Sequence, residues 1–143
     1  GTLARVSAGD IAWKHVNGAC FRVVTAAVEQ PRGDAFEISP TGPLYGYRMT
    51  APAGEPGRME REFLETQGLT DCEWVEDGRH RTPGGRRPLR FQPHDATVSA
   101  DTDDVGDYIE AAFFLESGCY ATTVLREISK TPAGSEDPAS DDG

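Results

Sequence analysis

Segment 79–90 concentrates positive charge in an otherwise acidic chain. It contains five of the twelve arginines and no aspartate or glutamate, whereas the 143 residues together carry a formal net charge of −10. Guanidinium groups bind phosphate bidentately, and clustered cations are typical of nucleic-acid binding. Arg86, Arg87 and Arg90 are therefore candidate RNA-binding residues. The alternative is a solvated loop whose arginines pair with neighbouring carboxylates.

A second candidate is the aromatic ring of Tyr120. Segment 114–127 reads as an apolar strand that passes through a turn at Gly118 into a helix, and Tyr120 stands at the junction. Side chains at such a turn project beyond the sheet, where a flat ring can stack on a nucleobase. The alternative is a tyrosine of the core. The next helix already has an apolar face at Ala121, Val124, Leu125 and Ile128.

The sequence gives little support for metal binding or for a cysteine nucleophile. The three histidines and three cysteines lack the short spacings of metal sites, so no metal is predicted; they are His15, His80, His94, Cys20, Cys72 and Cys119. Cys119 stands before a predicted helix, where a helix N-terminus lowers a thiol pKa, so a nucleophilic role is conceivable. No base is placed nearby in sequence, and a small buried residue is the favoured interpretation.

Composition indicates the setting of the protein. There are 24 acidic residues against 14 basic ones, of which only Lys14 and Lys130 are lysines. Such a surface is typical of adaptation to high intracellular salt, as in a halophilic archaeon; an ordinary acidic protein is the alternative. An odd number of cysteines, no signal-peptide form and no apolar run of ~20 residues predict a reduced, cytoplasmic protein without a membrane partner.

Local patterns predict the elements that position these residues. Asn17-Gly18 between two apolar runs predicts a hairpin over 11–24, and 39–46 has the prolines and glycines of a loop. Strand 108–115 is apolar on both faces, which predicts a central strand in a covered sheet. We also expect helices over 25–30, 56–67 and 121–128, strands over 86–92 and 96–100, a solvated turn over 101–107 and a disordered acidic tail over 131–143.

Five segments, in order, resemble one protein family. The strongest runs from 114 to 127 and contains Gly-x-Tyr-Ala-Thr-x-x-Leu-Arg-Glu. The others are Gly-Asp-Ile-Ala-Trp at 9–13, Pro-Thr-Gly-Pro-Leu-Tyr-Gly at 40–46, the helix at 59–64 and Arg-Arg-Pro-Leu-Arg at 86–90. Together they span residues 9–130 and resemble the C-terminal portion of the tRNA pseudouridine synthase D (TruD) family.

The resemblance implies an α/β (α+β) fold. Residues 1–85 would be the latter part of the domain inserted in this family. Residues 86–130 would supply the C-terminal strands and helix of the pseudouridine synthase core, which has a mixed or antiparallel sheet with helices. The implied protein is a monomeric enzyme that isomerises a uridine of tRNA, typically uridine-13, to pseudouridine without a cofactor.

The resemblance also implies what this chain lacks. The family's catalytic aspartate lies in a Gly-x-Lys-Asp segment that does not occur here, and its lysine and Asn-Phe motifs are also absent. No catalytic residue is therefore expected in this fragment, which we predict to be inactive alone. Tyr120 matches an aromatic position beside the target base. Glu116 and Cys119 depart from the family's usual proline and serine. The alternatives are a free-standing, non-catalytic RNA-binding module and an acidic interaction domain.

Overall fold

The computed structural model describes residues 2–70, 74, 76, 79 and 81–130, which fall into two compact units, Gly1–Arg90 and Phe91–Gly143. Three helices and antiparallel sheets confirm the predicted α/β class. No helix within these ranges is long and apolar enough to span a membrane. The predicted tail over 131–143 lies outside the described residues.

The first unit is built on a four-stranded antiparallel sheet. Its strand order is β2-β1-β3-β4, with β1 at Ile11–Lys14, β2 at Cys20–Arg22, β3 at Ile38–Leu44 and β4 at Gly85–Pro88. Helices α1 (Ala26–Asp34) and α2 (Gly54–Thr66) belong to the same unit. The core is small, and its buried apolar side chains are those of Val6, Ile11, Ala12, Val23 and Ile38.

The predicted hairpin is confirmed, with a longer turn. Strands β1 and β2 pair from Ile11 with Arg22 to Trp13 with Cys20. The Gly18 N–H donates to the Lys14 carbonyl at 2.8 Å, and Gly18 has a φ of 71°. Four residues, 15–18, therefore form the turn, and glycine occupies its left-handed position without a steric cost.

The prediction of a loop over 39–46 is wrong, because most of this segment is the inner strand β3. Its prolines occupy places where the sheet needs no proline N–H. The Pro40 carbonyl accepts from the Leu89 N–H at 2.9 Å, so the Pro40 nitrogen faces the end of β4. The Pro43 nitrogen faces the side of β1, but the pairing of β3 with β1 ends at Pro40, so no partner there needs an N–H from Pro43. The proline-rich composition indicated a loop, but the register makes a strand possible.

The helix predicted over 56–67 is confirmed as α2, which begins two residues earlier. Gln67 caps it, and Gly68 follows with a φ of 66°, as expected for glycine after a helix. Helix α1 continues past the predicted end and contains Pro31. Strand β4 ends at Pro88, so the expected strand over 86–92 is shorter and starts one residue earlier.

The second unit contains a two-stranded ribbon and a helix. Strands β5 (His94–Thr102) and β6 (Asp107–Phe114) pair antiparallel, and α3 spans Ala121–Ser129. The predicted turn between the strands is confirmed: the Asp103 carboxylate accepts from the Val105 and Gly106 N–H groups at 2.8 and 3.1 Å. This side-chain bonding to nearby backbone is typical of aspartate in turns.

The prediction of β6 as a central, covered strand is wrong for this chain. Among the described residues, β6 pairs with β5 alone, and Ile109 is 76% exposed. Apolar side chains on both faces show what a strand can bury, but burial requires a second layer of structure.

The predicted boundary between inserted domain and core at 85/86 stays a prediction. In this structure β4 pairs with β3 inside the first unit.

Candidate nucleic-acid interface

Arg86 lies on β4 with its side chain only 3% exposed. Its Nη2 and Nη1 atoms donate to the two carboxylate oxygens of Glu60 at 2.7 and 2.9 Å. Its Nε and Nη2 atoms donate to the Thr41 hydroxyl and carbonyl oxygens, both at 2.9 Å. Nη1 also contacts the Met49 sulfur at 3.9 Å. An arginine has five N–H donors, and here all five face protein acceptors.

The Arg86–Glu60 pair also influences a neighbouring acid. Asp10 is half-buried, and its carboxylate accepts from the Ser7 N–H at 2.6 Å. Burial raises the pKa of Asp10 above its ordinary value of 3.8, and the Glu60 charge acts in the same direction. The Ser7 hydrogen bond and the Arg86 charge oppose this rise without cancelling it.

Arg90 also uses its guanidinium group inside the first unit. It donates to the Ser39 hydroxyl at 2.9 Å and to the Ile38 carbonyl at 2.9 Å, and it also bonds to the Gly33 carbonyl. The group lies 4.7 Å from the centroid of the Phe36 ring. These contacts connect the end of α1 to β3. Sequence reasoning did not anticipate them, because carbonyl acceptors leave no signal in residue type.

The His15 ring completes this cluster. It stacks on Phe36 with 4.4 Å between ring centroids, and His15 Nε2 lies 2.7 Å from the buried Ser39 hydroxyl. Because Arg90 Nε can only donate, the Ser39 oxygen accepts from it and its hydroxyl proton is available for His15. The arrangement is an internal hydrogen-bond network rather than an exposed serine nucleophile.

The candidate arginines thus differ in their surroundings. Arg87 is exposed and, by the alternation of a strand, lies on the opposite face of β4 from Arg86. Arg79 and Arg81 are also exposed, whereas His80 lies outside the described residues. RNA contact by Arg86, Arg87 and Arg90 stays a prediction. A phosphate could reach Arg86 or Arg90 only in exchange for the internal bonds given above.

Tyr120 lies in the second unit, at the residue that caps the N-terminus of α3. The residue is 63% exposed, and its carbonyl accepts from the Thr123 N–H at 3.0 Å. The turn before it needs Gly118, which has a φ of 89°. The predicted apolar face of α3 is present, but Leu125 and Ile128 are 49% and 58% exposed. Exposure therefore does not distinguish Tyr120 from those residues, and its pocket role stays a prediction.

The other candidate groups, histidines, cysteines and carboxylates, do not assemble into a metal site in the part of the chain that the structure describes. Within the described residues no three histidine, cysteine or acidic side chains are close enough to hold a metal ion. Cys20 is an exposed free thiol and Cys119 a half-buried one, while Cys72 lies outside the described residues. His94 Nε2 lies 3.9 Å from a Glu116 carboxylate oxygen in an exposed contact. Such an exposed pair contributes little to stability.

Comparison with known proteins agrees with the family resemblance of the sequence motifs. A model of the tRNA pseudouridine synthase D (TruD) family matches residues 1–128. The chain is 47% identical over 131 residues to the tRNA pseudouridine synthase D of Geobacter sulfurreducens and 50% identical over 129 residues to that of Geobacter metallireducens. These matches cover 92% and 90% of this chain but 31% of each relative, so the chain spans about a third of their length.

A solved structure shows the same fold. The crystal structure of a candidate tRNA pseudouridine synthase D from Methanosarcina mazei aligns with a TM-score of 0.70 at 25% sequence identity. The alignment covers 90% of this chain and 32% of that one. From the family match over nearly all described residues, we conclude that the chain belongs to the tRNA pseudouridine synthase D family.

Proposed function

We propose that this chain is the C-terminal part of a tRNA pseudouridine synthase that isomerises a uridine of tRNA, with uridine-13 as the expected target. The observation that carries the proposal is the family match over residues 1–128. We assign residues 1–85 to the inserted domain and 86–130 to the catalytic core. In this proposal the aspartate that acts at the ribose–base linkage is supplied by sequence outside this chain.

The reaction is an isomerisation and needs no cofactor. The bond from the ribose to a ring nitrogen breaks, the freed uracil rotates, and a bond to a ring carbon forms. A proton moves from that carbon to the nitrogen, so atoms and electrons balance. The target base must first leave its stack and enter a pocket. We propose that the Tyr120 ring stacks on it there, because Tyr120 occupies the strand–helix turn where the family resemblance places an aromatic residue beside the target base.

The arginines would bind the tRNA backbone. Arg87 is exposed, whereas Arg86 and Arg90 are not, so we expect Arg87 to contribute most to direct phosphate contact. Arg86 and Arg90 would contribute mainly by holding β4 and the end of α1 in place, because their donors are bonded within the unit. Each lost phosphate contact should reduce the slope of log affinity against log salt by about 0.7 to 0.9.

Mapping of pseudouridine in tRNA tests the proposed function. The full-length protein containing this chain is incubated with unmodified tRNA, and pseudouridine is located by position. We expect conversion of one uridine, at position 13, by the full-length protein and none by the 143 residues alone. Absence of conversion by the full-length protein would refute the enzymatic proposal, and conversion by the 143 residues would refute the assignment of the aspartate to another segment.

A further inference from the structure

Two loops of the first unit, at the same end of β3 and β4, are held together by their backbones. The Tyr47 N–H donates to the Thr82 carbonyl at 3.1 Å, and the Arg48 N–H donates to the Pro83 carbonyl at 2.8 Å. These bonds place the residues after β3 beside the residues before β4. The two loops are therefore adjacent at this end of the sheet.

Glycines make this close approach possible. A Cβ atom at Gly46 would lie 2.3 Å from both the Gly84 nitrogen and the Thr82 carbonyl oxygen. A Cβ at Gly84 would lie 2.5 Å from the Leu44 carbonyl oxygen, and Gly84 has a φ of 67°. Distances this short are not compatible with any other residue unless the loops separate. The contact between the two loops therefore requires glycine at both positions.

Tyr45, the first residue after β3, connects the first loop to other parts of the unit. The Tyr45 hydroxyl donates to the Glu60 carbonyl at 3.1 Å, and the Tyr45 ring stacks on Trp74 with 6.1 Å between centroids and 8° between planes. The hydroxyl and the ring of the half-buried Tyr45 therefore both make contacts within the first unit. Tyr47, two residues later, is half-buried and is contacted by an arginine instead.

The outer side chains of the two loops combine a ring with cations. The exposed Arg48 guanidinium lies 5.7 Å from the centroid of the Tyr47 ring. Arg81, beside Thr82 in the other loop, is also exposed. Among residues that the structure describes, no carboxylate forms an ion pair with Arg48 or Arg81, in contrast to the paired Arg32, Arg58 and Arg86.

We propose that one surface of the two loops binds a single-stranded segment of the tRNA. This loop-pair surface consists of Tyr47, Arg48 and Arg81. The arginines would contact phosphates and the Tyr47 ring would stack on an unpaired base, which is how proteins bind flexible nucleic acid. A surface of two cations and a ring in a chain of net charge −10 fits an anionic partner with flat groups. The inference rests on the proposed function and adds Tyr47 and Arg48, which lie outside segment 79–90, to the candidate RNA-binding residues.

Binding of a tRNA transcript to the full-length protein, followed by fluorescence anisotropy over a KCl series, tests this surface. Arg48→Ala and Arg81→Ala should each reduce the log–log salt slope by about 0.7 to 0.9. Tyr47→Ala should weaken binding by roughly 5- to 150-fold with an unchanged slope, because stacking releases no counterions. Tyr47→Phe, which keeps the ring, should bind like the wild type.

Arg58→Ala is the matched control. Arg58 is an exposed arginine that pairs with Glu55 and Glu62 on α2, so its loss changes the net charge equally without touching the loops. One outcome is a wild type that binds and modifies tRNA while the Arg48 and Arg81 variants give the same salt slope and affinity as Arg58→Ala. That result would refute tRNA binding by the loop-pair surface and leave the proposed function intact. If the wild type neither binds nor modifies tRNA, both fail.

Discussion

The carboxylate of Glu60 holds the guanidinium of Arg86 through two parallel hydrogen bonds of 2.7 and 2.9 Å, and thereby connects helix α2 to strand β4. Glu60 is 19% exposed and Arg86 is 3% exposed, so the pair lies mostly away from water. Bidentate geometry fixes both side chains. Residues that are 26 apart in sequence are thus joined at the edge of the four-stranded sheet.

Arg86→Ala should lower the free energy of unfolding by roughly 3 kcal/mol, because it leaves the partly buried Glu60 carboxylate without its counter-charge. Arg87→Ala is the control, since it removes the same charge from the exposed face of the same strand. We expect its effect to be much smaller. Urea unfolding of both variants measures the difference. Equal losses would show that the Arg86–Glu60 pair contributes little.

Asp10 should make stability depend on pH at the acidic end. Its pKa in the folded protein is raised, mainly by burial, so the folded state binds this proton more tightly than the unfolded chain. The contribution of Asp10 is therefore most favourable below its ordinary pKa of 3.8 and declines as pH rises through the folded pKa. Asp10→Asn removes this titration and can still accept the Ser7 hydrogen bond.

Urea unfolding over a pH series measures this effect. The stability of the wild type relative to Asp10→Asn should fall as pH rises above 3.8 and then become constant. Asp104→Asn, in the exposed turn between β5 and β6, supplies a control for removing one aspartate. A relative stability that is constant or rising with pH for Asp10→Asn would contradict the role of burial.

Gly46→Ala should destabilise the first unit by about 1 to 3 kcal/mol, because its methyl group would overlap the backbone of the facing loop. Gly85→Ala provides the comparison. A Cβ there meets no heavy atom within 4 Å, so we expect a neutral or slightly stabilising change. Thermal unfolding of the two variants is the measurement. Indistinguishable midpoints would mean that the two loops separate at little cost.

Tyr120→Ala in the full-length protein should lose much of the pseudouridine synthase activity with little loss of stability, because the ring is exposed and its proposed role is stacking. Tyr120→Phe should retain most of the activity. Single-turnover rates and thermal midpoints are measured together. A Tyr120→Ala protein that unfolds readily but turns over normally when folded would identify Tyr120 as a packing residue.

Stability should rise with salt. The chain has 24 acidic and 14 basic residues, so its charges repel one another, and at molar salt the Debye length falls to ~3 Å. Thermal unfolding between low and molar KCl should show an increasing midpoint, while sucrose at equal osmolality separates screening from solute exclusion. A midpoint that does not change with KCl would favour an ordinary acidic protein.

Local signals in the sequence were sufficient for several elements. Asn17-Gly18 predicted the hairpin, Gly68 the end of α2, the aspartates near 103 the turn between β5 and β6, and the helical spacing after Tyr120 the helix α3. Each depends on the conformational preferences of a few adjacent residues. The ordered motifs at 40–46, 86–90 and 114–127 also indicated the family, which the comparisons confirmed.

Only the tertiary structure decided which polar groups meet. Nothing in the sequence selects Glu60 among 24 acidic residues as the partner of Arg86, because the pairing depends on how α2 packs beside β4. The same is true of β3, whose prolines are compatible with a strand only in this register. Residue types specify which groups can bond and which surfaces can be buried, whereas their partners are set by long-range packing that short-range preferences do not encode.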